Sequence, residues 1–358
     1  MKYTGLELIR ALSLAFGPSG CEDAVRALIT EQIEGACDTH TVDKAGNLIA
    51  TIRGRGMDYD PSRNGCLLLS THMDEVGFMI TDITEEGYLK FGTVGGIDPR
   101  VLGGRHVEIG DERHRVHGVI ASKAIHLQTS EERAKATPVS KMYIDIGAKD
   151  ADDAKKYVSV GDYAAFDSDF VTFGKDGCMM KGKALDDRAG CAVLIEVMRD
   201  LYRNPCSLPF DVCFAFTCCE EVGISGASVA AFGQKPHAAI IVEATAVNDL
   251  PGAGRNRISV QGEGGTLSLA DKGTIYDLRF IDFARRTAEA NGIRCQIKQA
   301  VTGATDAAHI QRSLTGVRVL GLSLPTRYIH SASNVARYGD FEETVKLIGA
   351  MLRNWQLD

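Results

Sequence analysis

The sequence predicts an α/β protein, a three-layer α/β/α domain on a mixed sheet, interrupted by a small β-barrel-like insertion. Three observations predict it. Continuously apolar runs, such as Cys66-Leu67-Leu68-Leu69 and residues 238–242, read as strands covered on both faces. These runs alternate with amphipathic helical stretches, which implies helices packed on both sides of a sheet. Between residues 76 and 167 the pattern changes to short alternating β segments separated by glycine turns. A chain of 358 residues exceeds one typical core and suits two units. They are expected at 1–75 with 168–358, and at 76–167.

The elements follow in order. Leu6, Leu8, Ile9, Leu12 and Leu14 trace a helix stopped by Gly17-Pro18-Ser19-Gly20, and a second helix covers about 22–34. Strands are expected at 39–43 and 47–53, then a polar loop to Gly65 and the apolar strand from Cys66. The insertion carries strands at 76–83, 88–91, 106–109, 117–120, 143–146 and 163–166 and a helical piece at 151–157. Residues 130–137 are polar and read as a loop. The α/β pattern then resumes: a helix after Asp186-Asp187, a strand at 210–218, a short helix at 227–232 and a strand at 238–242. It continues with strands at 258–261, 295–300 and 317–324 and helices at 275–291 and 341–355.

Composition narrows the function. A net charge of −7 with no basic block argues against a nucleic-acid partner. No apolar run approaches the ~18 residues that span a membrane, and Glu7 breaks the first apolar run, unlike a signal peptide. Ten cysteines without CxxC spacing, several inside apolar patterns (Cys66, Cys191, Cys213), fit reduced thiols in a cytoplasm. Cys218-Cys219 reads as packing at a strand end.

The chemistry-bearing residues fall at the ends of apolar strands: His72 and Asp74, Asp186-Asp187, Glu220-Glu221, Glu243 and His330. Strand ends on one edge of a sheet converge in space. Two imidazoles with several carboxylates and no thiolate suit zinc or a similar first-row divalent ion. Two histidines and three acids, one bridging, can hold a pair of ions, and a spare Glu beside them can serve as general base. For Asp186-Asp187 two readings stand: a bridging ligand followed by an orienting Asp, or a helix N-cap. Singly, each station has a bland reading as a cap, turn or solvated pair; jointly they favour a metal site. His40, His106, His114, His117, His237 and His309 read as ordinary surface or hydrogen-bonded histidines, and His126 as structural or interfacial. Gly262-Glu263-Gly264-Gly265 lacks the lysine and spacing of a phosphate loop.

His72-Met73-Asp74-Glu75, Ala184-Leu185-Asp186-Asp187-Arg188-Ala189-Gly190, Glu220-Glu221-Val222-Gly223 and Arg327-Tyr328-Ile329-His330 occur in a recognisable order. Together with Gly303-Ala304-Thr305-Asp306-Ala307 and residues 118–123, they resemble the glutamyl aminopeptidase and tetrahedral (TET) aminopeptidase family of co-catalytic metallopeptidases. Some members of that family carry an endoglucanase label. The resemblance covers essentially the whole chain and implies a phosphorylase/hydrolase-like catalytic domain with an inserted assembly domain. It implies that His72, Asp186 and Glu243 hold one divalent ion. Asp186 would bridge to a second, held also by Glu221 and His330. Zinc is the first choice, with cobalt or manganese as alternatives. Glu220 would be general base for a metal-activated water, Asp74 would orient His72, and the Asp186–Asp187 peptide would be cis. The implied activity is removal of N-terminal residues from short peptides by a dimer-based homo-oligomer, up to a tetrahedral dodecamer. The same site could serve a deacylase or carboxypeptidase, or survive damaged in a non-catalytic assembly protein. A glucanase ranks last, because histidines accompany the acids. Two positions depart from the family pattern: Glu243, where Asp is usual, and the 252–257 run. Arg255, Arg257 and Arg327 are candidates for recognising acidic N-terminal residues, with solvation as the alternative reading.

Overall fold

The structure is a computed structural model that describes residues 2–56, 58–60, 65–111, 113–253 and 258–356. Its helices are α1 (Gly5–Leu14), α2 (Asp23–Ile33), α3 (Ser130–Ala134), α4 (Ala151–Ala154), α5 (Leu185–Arg203), α6 (Ser225–Gln234), α7 (Leu278–Asn291), α8 (Ala307–Gln311) and α9 (Tyr338–Arg353). Its strands are β1 (Thr39–Val42), β2 (Leu48–Ile52), β3 (Cys66–His72), β4 (Gly77–Ile83), β5 (Leu89–Val94), β6 (His106–Gly110), β7 (Arg115–Ile120), β8 (Ile144–Asp145) and β9 (Tyr163–Phe166). They continue with β10 (Val171–Phe173), β11 (Met179–Gly182), β12 (Asp211–Thr217), β13 (Ala238–Ala246), β14 (Gly265–Ser268), β15 (Cys295–Ile297), β16 (Arg318–Arg327) and β17 (Asn334–Arg337).

Among the described residues, eleven strands form one mixed sheet in the order β1-β2-β12-β3-β13-β16-β17-β11-β10, with β14 and β15 joined beside β16. Its centre is parallel: β12 pairs with β3, β3 with β13 and β13 with β16. All seven residues of β3 are buried, as the unbroken apolar run requires of a strand covered on both faces. The helix α5 packs against β3 and β13, and α6 against β12 and β3. Because the central strands run parallel, their C-terminal ends share one edge, and the polar stations collect there.

Strands β4-β5-β8-β7-β6-β9 close a separate barrel. Alternation puts Phe78, Ile80, Val107, Ile109 and Phe166 inside. Phe78 meets Phe91 and Phe166 edge-on, with centroids 5.3 and 5.1 Å apart.

The structure corrects several local expectations. Residues 130–134 are a helix rather than loop, held by a capping box in which Thr129 and Glu132 each satisfy the other's amide. Residues 258–261 are not a strand. Their place beside β15 is set by Gln296, whose side chain pairs with both the N–H and the C=O of Val260. The strand there is β14, whose glycine entry hid its pattern. The edge strand β10 and the interior strand β17 are too short for periodicity to show. Glu243 lies inside β13, which runs on to Ala246. Among the described residues no helix is long and apolar enough to cross a membrane.

Candidate metal centre

His72 is the last residue of β3, and Thr217, opposite it on β12, leads through a short turn to Glu220-Glu221. Glu243 extends from β13, and His330 follows β16. Asp186 and Asp187 open α5 with non-helical backbone and a cis peptide between them. Several non-glycine residues with left-handed backbone flank these stations: Ala184, Cys219, Tyr328 and His330. Such conformations cluster where a fold holds functional groups against local preference.

The structure brings the predicted groups together. Asp186 sends one carboxylate oxygen to each imidazole: Oδ1 lies 3.3 Å from His72 Nε2 and Oδ2 lies 3.4 Å from His330 Nε2. Glu243 Oε2 lies 3.6 Å from His72 Nε2, and Glu221 Oε1 lies 3.3 Å from His330 Nε2. His72, Asp186 and Glu243 are all buried.

Both Nδ1 atoms face backbone carbonyls, His72 that of Asp74 at 3.1 Å and His330 that of Gly96, from the loop after β5, at 2.7 Å. A carbonyl only accepts, so each Nδ1 carries the proton and each Nε2 is turned toward the carboxylates. What sits between Nε2 and the acids must be a proton or a cation. With a proton there, burial depresses both histidines. The facing carboxylates outweigh it, raising His72 well above its usual range and His330 to about 11. Burial opposes ionisation of Asp186 as well, but the two imidazoles hold its pKa down.

The donor set fits divalent cations. Ligand atoms about 2.0–2.1 Å from a tetrahedral zinc stand roughly 3.3–3.4 Å from one another; the Asp186 and Glu221 separations match that spacing, and the Glu243 separation, 3.6 Å, is slightly longer. Glu243 Oε1 is buried with no hydrogen-bond partner among the described residues, which a cation would relieve. Nitrogen and oxygen donors without thiolate suit zinc, cobalt or manganese.

Asp187 divides the labour with Asp186. Its Oδ1 accepts from the Gly190 amide at 3.1 Å, an N-cap bond, and its other oxygen takes the Thr71 hydroxyl. The cap reading therefore describes Asp187, and Asp186 faces the histidines. A Cβ on Gly190 would lie 2.4 Å from the Asp187 carboxylate, so this turn admits only glycine. Asp74 differs from expectation in detail. Its carboxylate is 3.4 Å from His72 Nδ1, but the hydrogen bond there is made by its main-chain carbonyl. The carboxylate accepts from the Glu220 and Glu221 amides at 3.0 and 3.1 Å and from the Ser19 hydroxyl at 2.6 Å. These donors and His72 keep its pKa low against burial. Among the described residues the Glu220 side chain makes no hydrogen bond. Burial, with Asp306, Glu221 and Asp186 nearby, pushes it up to about 9, against the pull of His72.

His72, Asp186, Glu220, Glu221, Glu243 and His330 line a cavity of about 450 Å³ that also takes in Asp271 and Lys298. Asp271 is saturated by the Gly273 and Thr274 amides and the Tyr276 hydroxyl, each at 2.7 Å. The Lys298 ammonium donates to the Thr302 carbonyl at 2.9 Å and forms no ion pair among the described residues. Arg327 is engaged elsewhere, clamping Asp249 at 2.7 and 2.9 Å. Arg255 and Arg257 lie outside the described residues. Lys298 was missed because nothing in its segment distinguishes a cavity-facing lysine from a solvated one.

Residues 46–347 match the family model described as M42 glutamyl aminopeptidase. A putative aminopeptidase of Acetivibrio thermocellus is 33% identical over 342 residues, covering 96% of each chain. The TET aminopeptidase from a marine sediment archaeon, Thaumarchaeota archaeon SCGC AB-539-E09, superposes with a TM-score of 0.92 at 33% identity, over 98% of this chain and 97% of that one. The Pyrococcus horikoshii TET1 peptidase, whose structure shows assembly into a tetrahedron or a large octahedral shell, gives 0.85 at 35% identity over 97% and 98%. With sequence, fold and site geometry in agreement, this chain belongs to the M42 glutamyl aminopeptidase family and is a hydrolase acting on peptides.

Proposed function

We propose that the protein is a dinuclear metal-dependent aminopeptidase acting on short peptides. The observation that carries this reading is the placement of the two Asp186 oxygens between two imidazoles that are each turned to present Nε2. His72, Asp186 and Glu243 would hold one divalent ion, and Asp186, Glu221 and His330 the other. Bound there, the ions would supply an activated water and a charge that polarises the scissile carbonyl.

Glu220 takes the proton from the attacking water and delivers it to the leaving amine. Its burial suits that task, because a desolvated carboxylate is a better proton acceptor than a hydrated one. Asp74 fixes the Glu220-Glu221 turn through its two amides and so aims both carboxylates. Lys298, a cavity lysine without a carboxylate partner among the described residues, supports a preference for an acidic N-terminal residue. The separate barrel supports a role in assembly, and the tetrahedron or octahedral shell into which the Pyrococcus horikoshii relative can assemble favours a homo-oligomer.

The test is Glu220→Gln, measured with an aminoacyl-p-nitroanilide and by metal analysis. Turnover should fall by roughly a thousandfold or more while both metal equivalents remain. Loss of metal instead would make Glu220 a ligand and reverse its role with Glu221. Hydrolysis of N-acyl amino acids in preference to aminoacyl anilides would favour the deacylase reading.

A further inference from the structure

Asp306, just before α8, is fully buried, and its neighbours in charge are Glu220, His72 and Asp74. Its Oδ1 meets no hydrogen-bond partner among the described residues. Its Oδ2 lies 2.6 Å from Thr217 Oγ1, which is also 3.0 Å from the Thr71 carbonyl oxygen. A hydroxyl owns one proton, and a carbonyl can only accept. If Thr217 donates to the Thr71 carbonyl, the short contact to Asp306 needs a proton from Asp306 itself. A neutral carboxyl also escapes the penalty of a buried carboxylate with one bare oxygen. Burial pushes its pKa up to about 6, the same direction.

We propose that Asp306 is a positioning residue that works as a neutral hydrogen-bond donor. It donates to Thr217, Thr217 donates to the Thr71 carbonyl, and the Thr71 hydroxyl donates to Asp187. Meeting at Thr71, whose carbonyl takes one bond and whose hydroxyl gives the other, these bonds join the residue before His72, the residue beside Asp186 and the strand end that leads to Glu220. The inference rests on the metal-centre reading above, because it is the alignment of those groups that the chain maintains.

Asp306→Asn places an N–H where the proposed O–H stands. It should keep kcat and KM within about twofold of the parent, with the acid limb of the kcat/KM profile unmoved. Asp306→Ala and Thr217→Val both cut the chain, and each should lower kcat about tenfold with KM changed less than about twofold. The proposal is overturned if Asp306→Asn loses as much as Asp306→Ala, or if its acid limb moves by half a pH unit or more, since either requires a carboxylate. It is equally overturned if both chain-cutting variants keep parental kcat. Thermal midpoints of all three report folding. A failure of the metal-centre reading would appear separately, as parent protein without stoichiometric metal by elemental analysis.

Discussion

Arg188 offers the sharpest test of what holds the site in place. It is fully buried, and its guanidinium donates to the carbonyls of Met73, Leu12, Ala15 and Gly17 and to Glu75 Oε1 at 3.3 Å. Met73 lies between His72 and Asp74, so this residue ties the α1 exit to the strand end that carries a ligand. Consider Arg188→Met, which keeps much of the volume and removes the donors. Glu75 stays paired, because Lys183 Nζ lies 2.7 Å from the same oxygen. Three of the four carbonyls also keep another donor: Ala15 N for Leu12, Lys183 for Ala15 and Glu75 N for Gly17. Among the described residues, only the Met73 carbonyl is left without a donor.

An orphaned buried carbonyl costs about 1–3 kcal/mol, and because Glu75 keeps Lys183 no uncompensated buried charge adds to it, so the expected total stays at about 1–3 kcal/mol. Chemical denaturation in EDTA at fixed protein concentration would measure it, since metal and association both shift apparent stability. Lys183→Met, which leaves Glu75 with Arg188, should cost clearly less. A loss under about 1 kcal/mol for Arg188→Met would refute the accounting, because an orphaned carbonyl alone should exceed it.

The metal-free protein should lose stability as pH rises. The folded-state pKa of His330 is raised to about 11, so its contribution is full below ~6.5 and lost as pH climbs toward that value. Glu220, raised to about 9 by burial, has the same sign, with a contribution full below ~4.3 and lost by about pH 9. Thermal midpoints in EDTA should therefore fall between pH 6.5 and 9, and zinc should reverse the trend by displacing those protons; a midpoint that rises over that window without metal contradicts the site's electrostatics. For Lys298→Met, kcat/KM on glutamyl or aspartyl anilides should drop by about ten- to a hundredfold, with leucyl anilides nearly unchanged. Equal losses on both substrates would remove Lys298 from side-chain recognition.

Much of this molecule was legible before any coordinates. Cys66 to Leu69 reads as a doubly covered strand because burial on both faces leaves no room for alternation, and β3 is buried throughout. The ligand stations could be found because acids and histidines at the ends of parallel apolar strands must share an edge. These are local patterns, and local chemistry produces them. The helix at 130–134 shows the limit of that reading, because its signal is a Thr129–Glu132 cap on an otherwise polar stretch.

The chain alone therefore determined the parallel centre of the sheet, the place of the β insertion and the histidine and carboxylate stations that meet. Tertiary structure decided how those groups are used. It assigned Asp186 to the imidazoles and Asp187 to the helix cap, spent the Asp74 carboxylate on the Glu220 and Glu221 amides, and turned His330 with a carbonyl from Gly96. It withdrew Arg327 from the cavity by pairing it with Asp249, and left Lys298 there. The reason is physical. Hydrophobic burial is additive and non-directional, so it leaves a periodic trace along the chain. Hydrogen bonds and ion pairs are short and directional, and their partners here lie up to 234 residues apart in sequence, where no pattern links them.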